Sequence, residues 1–339
     1  MLEKPDIGRR LSRTVGAFAL LLLAVIVLAP LAGTTRISLL RAFDRSHPFA
    51  DNVDAQIFFI ARLPRVIAAA LVGAGLASAG VVFQALLRNP LASPDTLGVS
   101  IGASVGAMAV IAFRPNLSIA GISAIPLASF AGSLGALAIV YGLSTARRRG
   151  LSSTVLLLAG VTLTAFLGAV TLFIQYLADF AETFRAVRWL MGSLDVGSYS
   201  AILGALVPLA VAAIGYGTLP RTLDLMSLGR DSAAARGVNV ARAERIALIS
   251  ASFSTGAAVS LGGPIGFIGI IVPHIVRLMV GPDHRLVLPA SALFGAAFLI
   301  LCDLVARTAF APIELPVGII TAMIGGPFFL WLLFTRTGR

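Results

Sequence analysis

Residues 246–276 read IALISASFSTGAAVSLGGPIGFIGIIVPHIV, 31 positions without Asp, Glu, Lys or Arg. As one helix the stretch would measure about 46 Å at 1.5 Å per residue, half again the roughly 30 Å of bilayer hydrocarbon. Gly262-Gly263-Pro264 lies in its middle. Proline removes a backbone donor there and pushes the residue before it out of the helical region. The stretch therefore predicts two membrane spans joined at 262–264.

Working outward, eight more charge-free runs follow the same rule: 14–35, 66–87, 96–113, 115–146, 150–178, 196–220, 286–302 and 315–335. In the long 115–146 run, Pro115 to Pro126 reads as a loop entering a single helix. The fold class expected is all-α integral membrane, with ten helices and both termini on one side. With the N-terminus inside, 17 of the 26 Lys and Arg fall in cytoplasmic segments. That bias is the one cytoplasmic loops carry, and it sets an N-in, C-in orientation.

Composition agrees. Of 339 residues, 58% are hydrophobic and only 12% charged, too few to clothe a water-facing globule, which carries about 25%. A soluble enzyme and a disordered chain are both excluded. The net charge of +11 is explained by orientation, so membrane lipid is expected as surroundings and nucleic acid is not expected as a partner. The basic Met1–Arg13 followed by the apolar 14–35 run reads as a retained first span, because no small-residue cleavage site precedes Arg36. The whole of 1–339 reads as one transmembrane domain.

Two segments look water-facing. Arg36–Arg65 is external and ends in an amphipathic stretch through Ile57-Phe58-Phe59-Ile60. Pro220–Arg245 is internal, with two small helical pieces split at Gly229, Asp231 or Ser232 as N-cap and Gly237 as C-cap of the second. A structured loop of this kind meets another protein. Arg62-x-x-Arg65 before a small-residue helix and Asn89-Pro90 is echoed by Arg242-x-x-Arg245 before another helix and Val272-Pro273. Transporters contain inverted repeats of this sort.

Motifs for chemistry are mostly missing. Lys4 is the only lysine, so no GxxxxGK[ST] phosphate loop exists and the chain has no ATP site of that kind. His47, His274 and His284 are too scattered for zinc, and the single Cys302 supports neither a disulfide nor a cluster. No catalytic residue, metal or cofactor is expected. Asp303 is the one carboxylate inside a span that an ion-driven transporter would need, and it reads first as an i,i+4 pair with Arg307 near the membrane edge. The stripe Gly98, Gly102, Gly106 reads as close helix packing. Arg147-Arg148-Arg149 reads as a topology anchor, and Ser152-Ser153-Thr154 as hydroxyls at a helix start.

Arg62-Leu63-Pro64-Arg65, Gln84 to Ala92 (QALLRNPLA), Leu97-Gly98-Val99-Ser100-x-Gly102-Ala103, Leu158-Ala159-Gly160-Val161 and Trp189-Leu190-Met191-Gly192 follow one another in order. After them come Gly266-Phe267-Ile268-Gly269-x-x-Val272-Pro273-His274-x-x-Arg277, Asp283-His284-Arg285, Glu314-Leu315-Pro316-x-Gly318 and Gly325-Gly326-Pro327. This series resembles the FecCD-type, BtuC-like permeases of binding-protein-dependent ATP-binding-cassette importers for iron–siderophores, haem or cobalamin. The resemblance implies a homodimer with the pathway on its axis, two separate ATPase subunits and an external binding protein. It implies that residues 221–245 form coupling helices for the ATPase, with Leu228, Gly229, Arg230, Ala233, Ala235 and Gly237 at the contact. It places Ser152, Ser153 and Thr154 at the cytoplasmic gate and Arg62, Arg65 and Arg307 where the binding protein docks. The family often has an acid at the position of Arg230 and an aliphatic residue at that of Arg236, so the chain departs from it there. Cargo is a ferric siderophore or haem, with cobalamin as the alternative. An ion-coupled secondary transporter is the competing class, resting on Asp303.

Overall fold

The computed structural model describes residues 7–33, 35–44, 46, 48–114, 116–119, 122–145, 153–196 and 198–337. In chain order its helices are α1 (Ile7–Leu28), α2 (Leu39–Ala42), α3 (Val53–Gln56), α4 (Leu63–Leu87) and α5 (Val99–Phe113). A ribbon of two-residue strands, β1 (Ser118–Ile119) and β2 (Ile122–Ser123), precedes α6 (Ala124–Thr145), α7 (Ser153–Leu177), α8 (Phe180–Leu190) and α9 (Tyr199–Thr218). Then come α10 (Pro220–Ser227), α11 (Arg230–Ala235), α12 (Val240–Gly262), α13 (Ile268–Val280), α14 (His284–Thr308) and α15 (Val317–Thr337).

Among the described residues seven helical stretches are long and apolar enough to cross a membrane, and α5, α13 and the apolar part of α15 (Val317–Leu332) are three shorter ones. Together they make the ten expected. The 246–276 run divides as its glycines require: α12 ends at Gly262, Gly263 takes φ +69°, and α13 starts at Ile268. The 115–146 run holds one helix, entered through the β1–β2 ribbon.

The second span begins earlier than its charge-free run. A π-helical turn, Ile57–Arg62, joins α3 to α4, so helix is continuous over Val53–Leu87. Arg62 and Arg65 do not end it, because both find partners inside the protein.

The helix α4 occupies the centre. It packs on α12, α13 and α14 and, at its far end, on α10. Val66, Val72, Val81 and Phe83 are buried on different sides of it, as suits a helix apolar all round. Around this core α1 rests on α14, α15 rests on α13 and α14, and α5, α6 and α7 form a second group that reaches α12.

Glycine sets the closest approaches. A Cβ on Gly73 would lie 2.8 Å from the carbonyl carbon of Gly295, and one on Gly80 would lie 2.6 Å from that of Gly269. In the stripe on α5, a Cβ on Gly102 would lie 2.5 Å from Gly132 O and one on Gly106 would lie 2.6 Å from the carbonyl carbon of Ala128. These two are packing positions, as expected. Gly98 sits just outside the helix as its N-cap, at φ +75°.

Gly106→Ala is expected to destabilise the protein by the roughly 1–3 kcal/mol typical of overpacking. Gly135→Ala, also on the α5–α6 pair but with nothing within 4 Å of the added carbon, should leave the thermal midpoint of the detergent-solubilised protein in place or raise it slightly. Equal midpoints for the two variants would mean that α5 and α6 do not meet through Gly106.

Candidate functional site

After α9 the chain turns twice. Pro220 opens α10, where its missing N–H costs nothing. Gly229 then takes φ +116°, a conformation that side chains disfavour, and its carbonyl accepts from Ala233 N at 3.0 Å. Gly229 is therefore the N-cap of α11, in place of the expected Asp231 or Ser232, which lie inside the helix. Arg236 is the C-cap and Gly237 follows at φ +85°, with Val238 N reaching back to Ala233 O at 3.1 Å. Within 221–245 helix α12 already begins at Val240, where Asn239 accepts from Arg242 N at 3.0 Å, and Arg242 and Arg245 are exposed.

This α10–α11 corner is fastened to the bundle by a small apolar cluster and two polar ties. Ala233 is fully buried with Met226 and Ala243, against Leu86 of α4. Arg230 Nη1 lies 2.9 Å from Glu244 Oε1, on a side chain only 6% exposed. Asp224 Oδ1 accepts from His284 N at 3.0 Å and lies 2.6 Å from His284 Nδ1, tying α10 to the start of α14. Beside it, hydrogen bonds from Arg285 hold the Asp283 carboxyl below the usual carboxylate range. Deeper, Arg277 Nη1 donates to Gln84 Oε1 at 2.5 Å while Gln84 Nε2 donates to Gly269 O at 2.9 Å, joining α4 to α13. Leu228, at the tip, is 62% exposed, and Ala235, Arg236 and Gly237 are exposed beside it.

Of the three hydroxyls expected at a gate, Ser152 lies outside the described residues. So does the side chain of Ser153, the first residue of α7. Thr154 is exposed. The helix α7 buries a single stripe that includes Leu156, Gly160 and Leu163 against the 94–97 turn and α5. Its opposite side leaves Leu158, Phe166 and Tyr176 exposed.

At the other end, Arg62, Arg65 and Arg307 come together, but not as exposed cations. Arg62 Nη1 donates to Pro30 O at 2.7 Å and its Nη2 donates to Thr35 O. Arg307 Nη2 donates to Ala29 O at 2.7 Å. Arg62 and Arg307 are buried, and Arg65 spans Asp303 Oδ1 at 2.8 Å and Glu314 Oε2 at 2.6 Å. The i,i+4 contact of Asp303 with Arg307 is the longer one, 3.5 Å. The closer partner of Asp303 is therefore Arg65, which spacing along one helix does not reveal. Nearby, Ser193 N donates to Gly262 O at 2.9 Å, and Gly192 and Gly318 close on the 262–264 break and Met191. This brings the Trp189–Gly192, Gly262–Pro264 and Pro316–Gly318 motifs to one place.

Sequence reading missed Glu244, the Gln84–Arg277 pair and the backbone of Phe267. Glu244 had a signal, a lone acid between Arg242 and Arg245 at an otherwise basic helix start. Phe267 had none: its φ of +69° is an outlier for a bulky residue, held with its ring over Gly325.

A family model described as the FecCD transport family matches residues 21–335. The cobalamin import system permease protein BtuC of Halobacterium salinarum is 46% identical over 82% of this chain and 73% of its own length. The hemin transport system permease protein HmuU of Yersinia pestis is 38% identical over 97% of this chain and 98% of its own. The Fe(3+) dicitrate transport system permease protein FecD of Escherichia coli is 40% identical over 80% and 83%. A solved metal-chelate type ABC transporter in an inward-facing conformation superimposes with a TM-score of 0.82 at 33% identity, covering 95% of this chain and 99% of that one.

Asp303→Asn removes the counter-charge of two largely buried arginines, a change that typically costs roughly 3–5 kcal/mol. Glu314→Gln removes a half-exposed partner and should cost at most about 1 kcal/mol. Thermal unfolding of the two variants in detergent separates them, and an Asp303→Asn midpoint no lower than that of Glu314→Gln would contradict the buried pairing.

Proposed function

The chain belongs to the FecCD transport family, and on that premise we propose which of its parts carry out import. It is a multi-pass permease subunit of an ATP-binding-cassette importer in the cytoplasmic membrane, working with ATPase subunits and a substrate-binding protein. Its cargo is a metal chelate of the ferric siderophore or haem kind, with cobalamin as the alternative; relatives bear the names of all these classes. The observation that carries the reading is the match of one permease family along residues 21–335 of a chain built from ten apolar helices. In our reading ATP is bound and hydrolysed by the partner subunit alone, which agrees with the missing phosphate loop. The ion-driven alternative is weakened by Asp303, whose carboxylate is held by Arg65 rather than open to a passing ion.

The whole chain acts as one transmembrane domain, with residues 221–245 as its coupling segment. Leu228, Gly229, Arg230, Ala233, Ala235 and Gly237 share the labour there. Leu228 offers apolar surface to the ATPase, Gly229 and Gly237 make the two corners, and Ala235 leaves the outer side of α11 flat. Ala233 and Arg230 fasten α11 to the bundle, and the Arg230–Glu244 pair accounts for the departure from the family at that position. Movement of the docked ATPase then reaches α4, α12 and α14 through Met226, Glu244 and His284. Two copies form a dimer through the sparsely covered side of α7, which puts Ser152, Ser153 and Thr154 at the inner mouth of an axial pathway.

On the outer face we assign Arg62, Arg65 and Arg307 a bracing part in docking. Their burial leaves Glu314 and the 310–316 turn as the surface that meets the binding protein, with the arginines holding that surface to α1 and α4.

Gly229→Val is expected to insert and dimerise, lower the thermal midpoint only modestly because the φ of +116° it must adopt is a local strain, and lose co-purification of the ATPase together with ATP-driven uptake in proteoliposomes. Retained ATPase binding would remove the coupling assignment. With Cys302→Ser as background, Ser153→Cys should form an intersubunit disulfide in at least one nucleotide state, since a bridge needs Cα atoms within about 7 Å. No crosslink in any state would take α7 off the axis. Uptake of ferric siderophore, haem and cobalamin by the same vesicles assigns the cargo, and uptake without any ATPase would favour the ion-driven class.

A further inference from the structure

Between α1 and α9 the bundle has an open side. There α1 rests on α14 and α9 rests on α12, leaving a groove of about 880 Å³ between them, floored by Ala74, Gly75 and Ser78 of α4. Its walls are almost wholly apolar, and a dry apolar groove facing a bilayer is filled by what the bilayer supplies.

Two independent features say what fills it. The first is the Tyr216 hydroxyl, which lines the groove from the last turn of α9. Tyr216 is 7% exposed, and its hydroxyl has no hydrogen-bond partner. Beside it is Ser254, whose own hydroxyl donates to Gly75 O at 3.0 Å. A buried hydroxyl without a well-formed hydrogen bond costs free energy, so an acceptor in the groove is favoured here. The second is the charge at the same end. Arg285 lines the groove, Arg9 and Arg13 are exposed on the first turns of α1 next to the lining residues Gly8 and Ser12, and Arg221 is exposed beside Pro220. The acids among them are Asp283, which takes one side of Arg285, and Asp224, which is tied to His284. The N-in orientation puts this end at the cytoplasmic headgroup level, where basic pockets between spans hold anionic lipid.

We propose that this groove is a binding site for one anionic phospholipid of the cytoplasmic leaflet. An acyl chain lies on Ala74, Gly75 and Ser78, the Tyr216 hydroxyl donates to an ester carbonyl, and the phosphate sits among Arg9, Arg13, Arg221 and Arg285. A lipid so placed fills the gap between α1, α9 and α14 next to the Asp224–His284 tie, and so supports the base of the coupling corner.

The test is native mass spectrometry of the full chain, delipidated in detergent and titrated with phosphatidylglycerol or phosphatidylcholine of the same chains. Phosphatidylglycerol is expected to bind at least fivefold more tightly. Arg13→Gln with Arg221→Gln should abolish that preference, and Tyr216→Phe should weaken both lipids alike because both carry ester carbonyls. Inorganic phosphate alone should not compete. A second measurement does not depend on losing a function: in Leu209→Trp, phosphatidylglycerol with brominated chains should quench the new tryptophan more than brominated phosphatidylcholine does. Equal binding of the two lipids, equal quenching, or displacement by inorganic phosphate would each overturn the proposal. No readout needs the ATPase, the binding protein or cargo, so failure here leaves the import reading untouched.

Discussion

At Gly73 and Gly80 the backbone of α4 lies directly on the carbonyl groups of Gly295 in α14 and Gly269 in α13, with no room for a side chain between them. In a bilayer this contact is what holds helices together. Hiding a leucine from lipid gains little, since lipid is as apolar as leucine, and association must come from close packing and interhelical hydrogen bonds. Two such approaches on one helix make α4 the floor against which α12, α13 and α14 are set. They also set the reach of Gln84: with α13 drawn in at Gly269, its side chain spans from Gly269 O to Arg277. The α5–α6 pair repeats the principle at Gly102 and Gly106.

Close packing of this kind leaves nowhere for an unpaired charge, and the charged residues sort accordingly. At the outer end, Arg62 and Arg307 donate to carbonyls where α1 ends, Pro30, Leu31 and Ala29, whose helix has no further N–H to offer them. Arg65 meanwhile joins α4 to Asp303 of α14 and to Glu314. The arginines thus finish one helix and clamp two others to it. This explains why helix runs unbroken from Val53 through two arginines, where the count of charge-free residues stops it at Val66.

How much of this was legible in the sequence follows from which forces are local. Ten spans could be read because length and apolarity are summed along the chain, and Gly262-Gly263-Pro264 announced its own break. The turn at Gly229 was legible as a corner but not as a cap. Asp and Ser are the better caps by propensity, but a φ of +116° overrides propensity in favour of glycine. The partners of Arg65, Gln84 and Glu244 lie 238, 193 and 14 residues away along the chain, and periodicity carries no signal at such distances. The three arginines were legible as a group at the outer end but their burial was not, because only packing shows that α1 supplies carbonyls to two of them. Several of the motifs meet in space at the 262–264 break and at the α4–α13 contact, although they are far apart along the chain.

The inner corner is built on a different principle from the core, and the difference bears on coupling. Where α4 meets α13 and α14, glycine and carbonyl surfaces are locked, and sliding them would open voids that nothing fills. Where α10 and α11 meet α12 and α14, the fastenings are Asp224–His284 and Arg230–Glu244, with one small apolar cluster beneath. Each pair joins a buried member, Glu244 or His284, to a half-exposed one, Arg230 or Asp224, so it grips the bundle on its inner side while its outer group stays within reach of solvent. In the coupling proposed above, a partner pressing on Leu228 would meet a corner held to α12 and α14 by these ties and backed by helices too tightly packed to deform. On that proposal displacement would pass on as movement of whole helices rather than be absorbed, as a permease driven from outside its own chain requires.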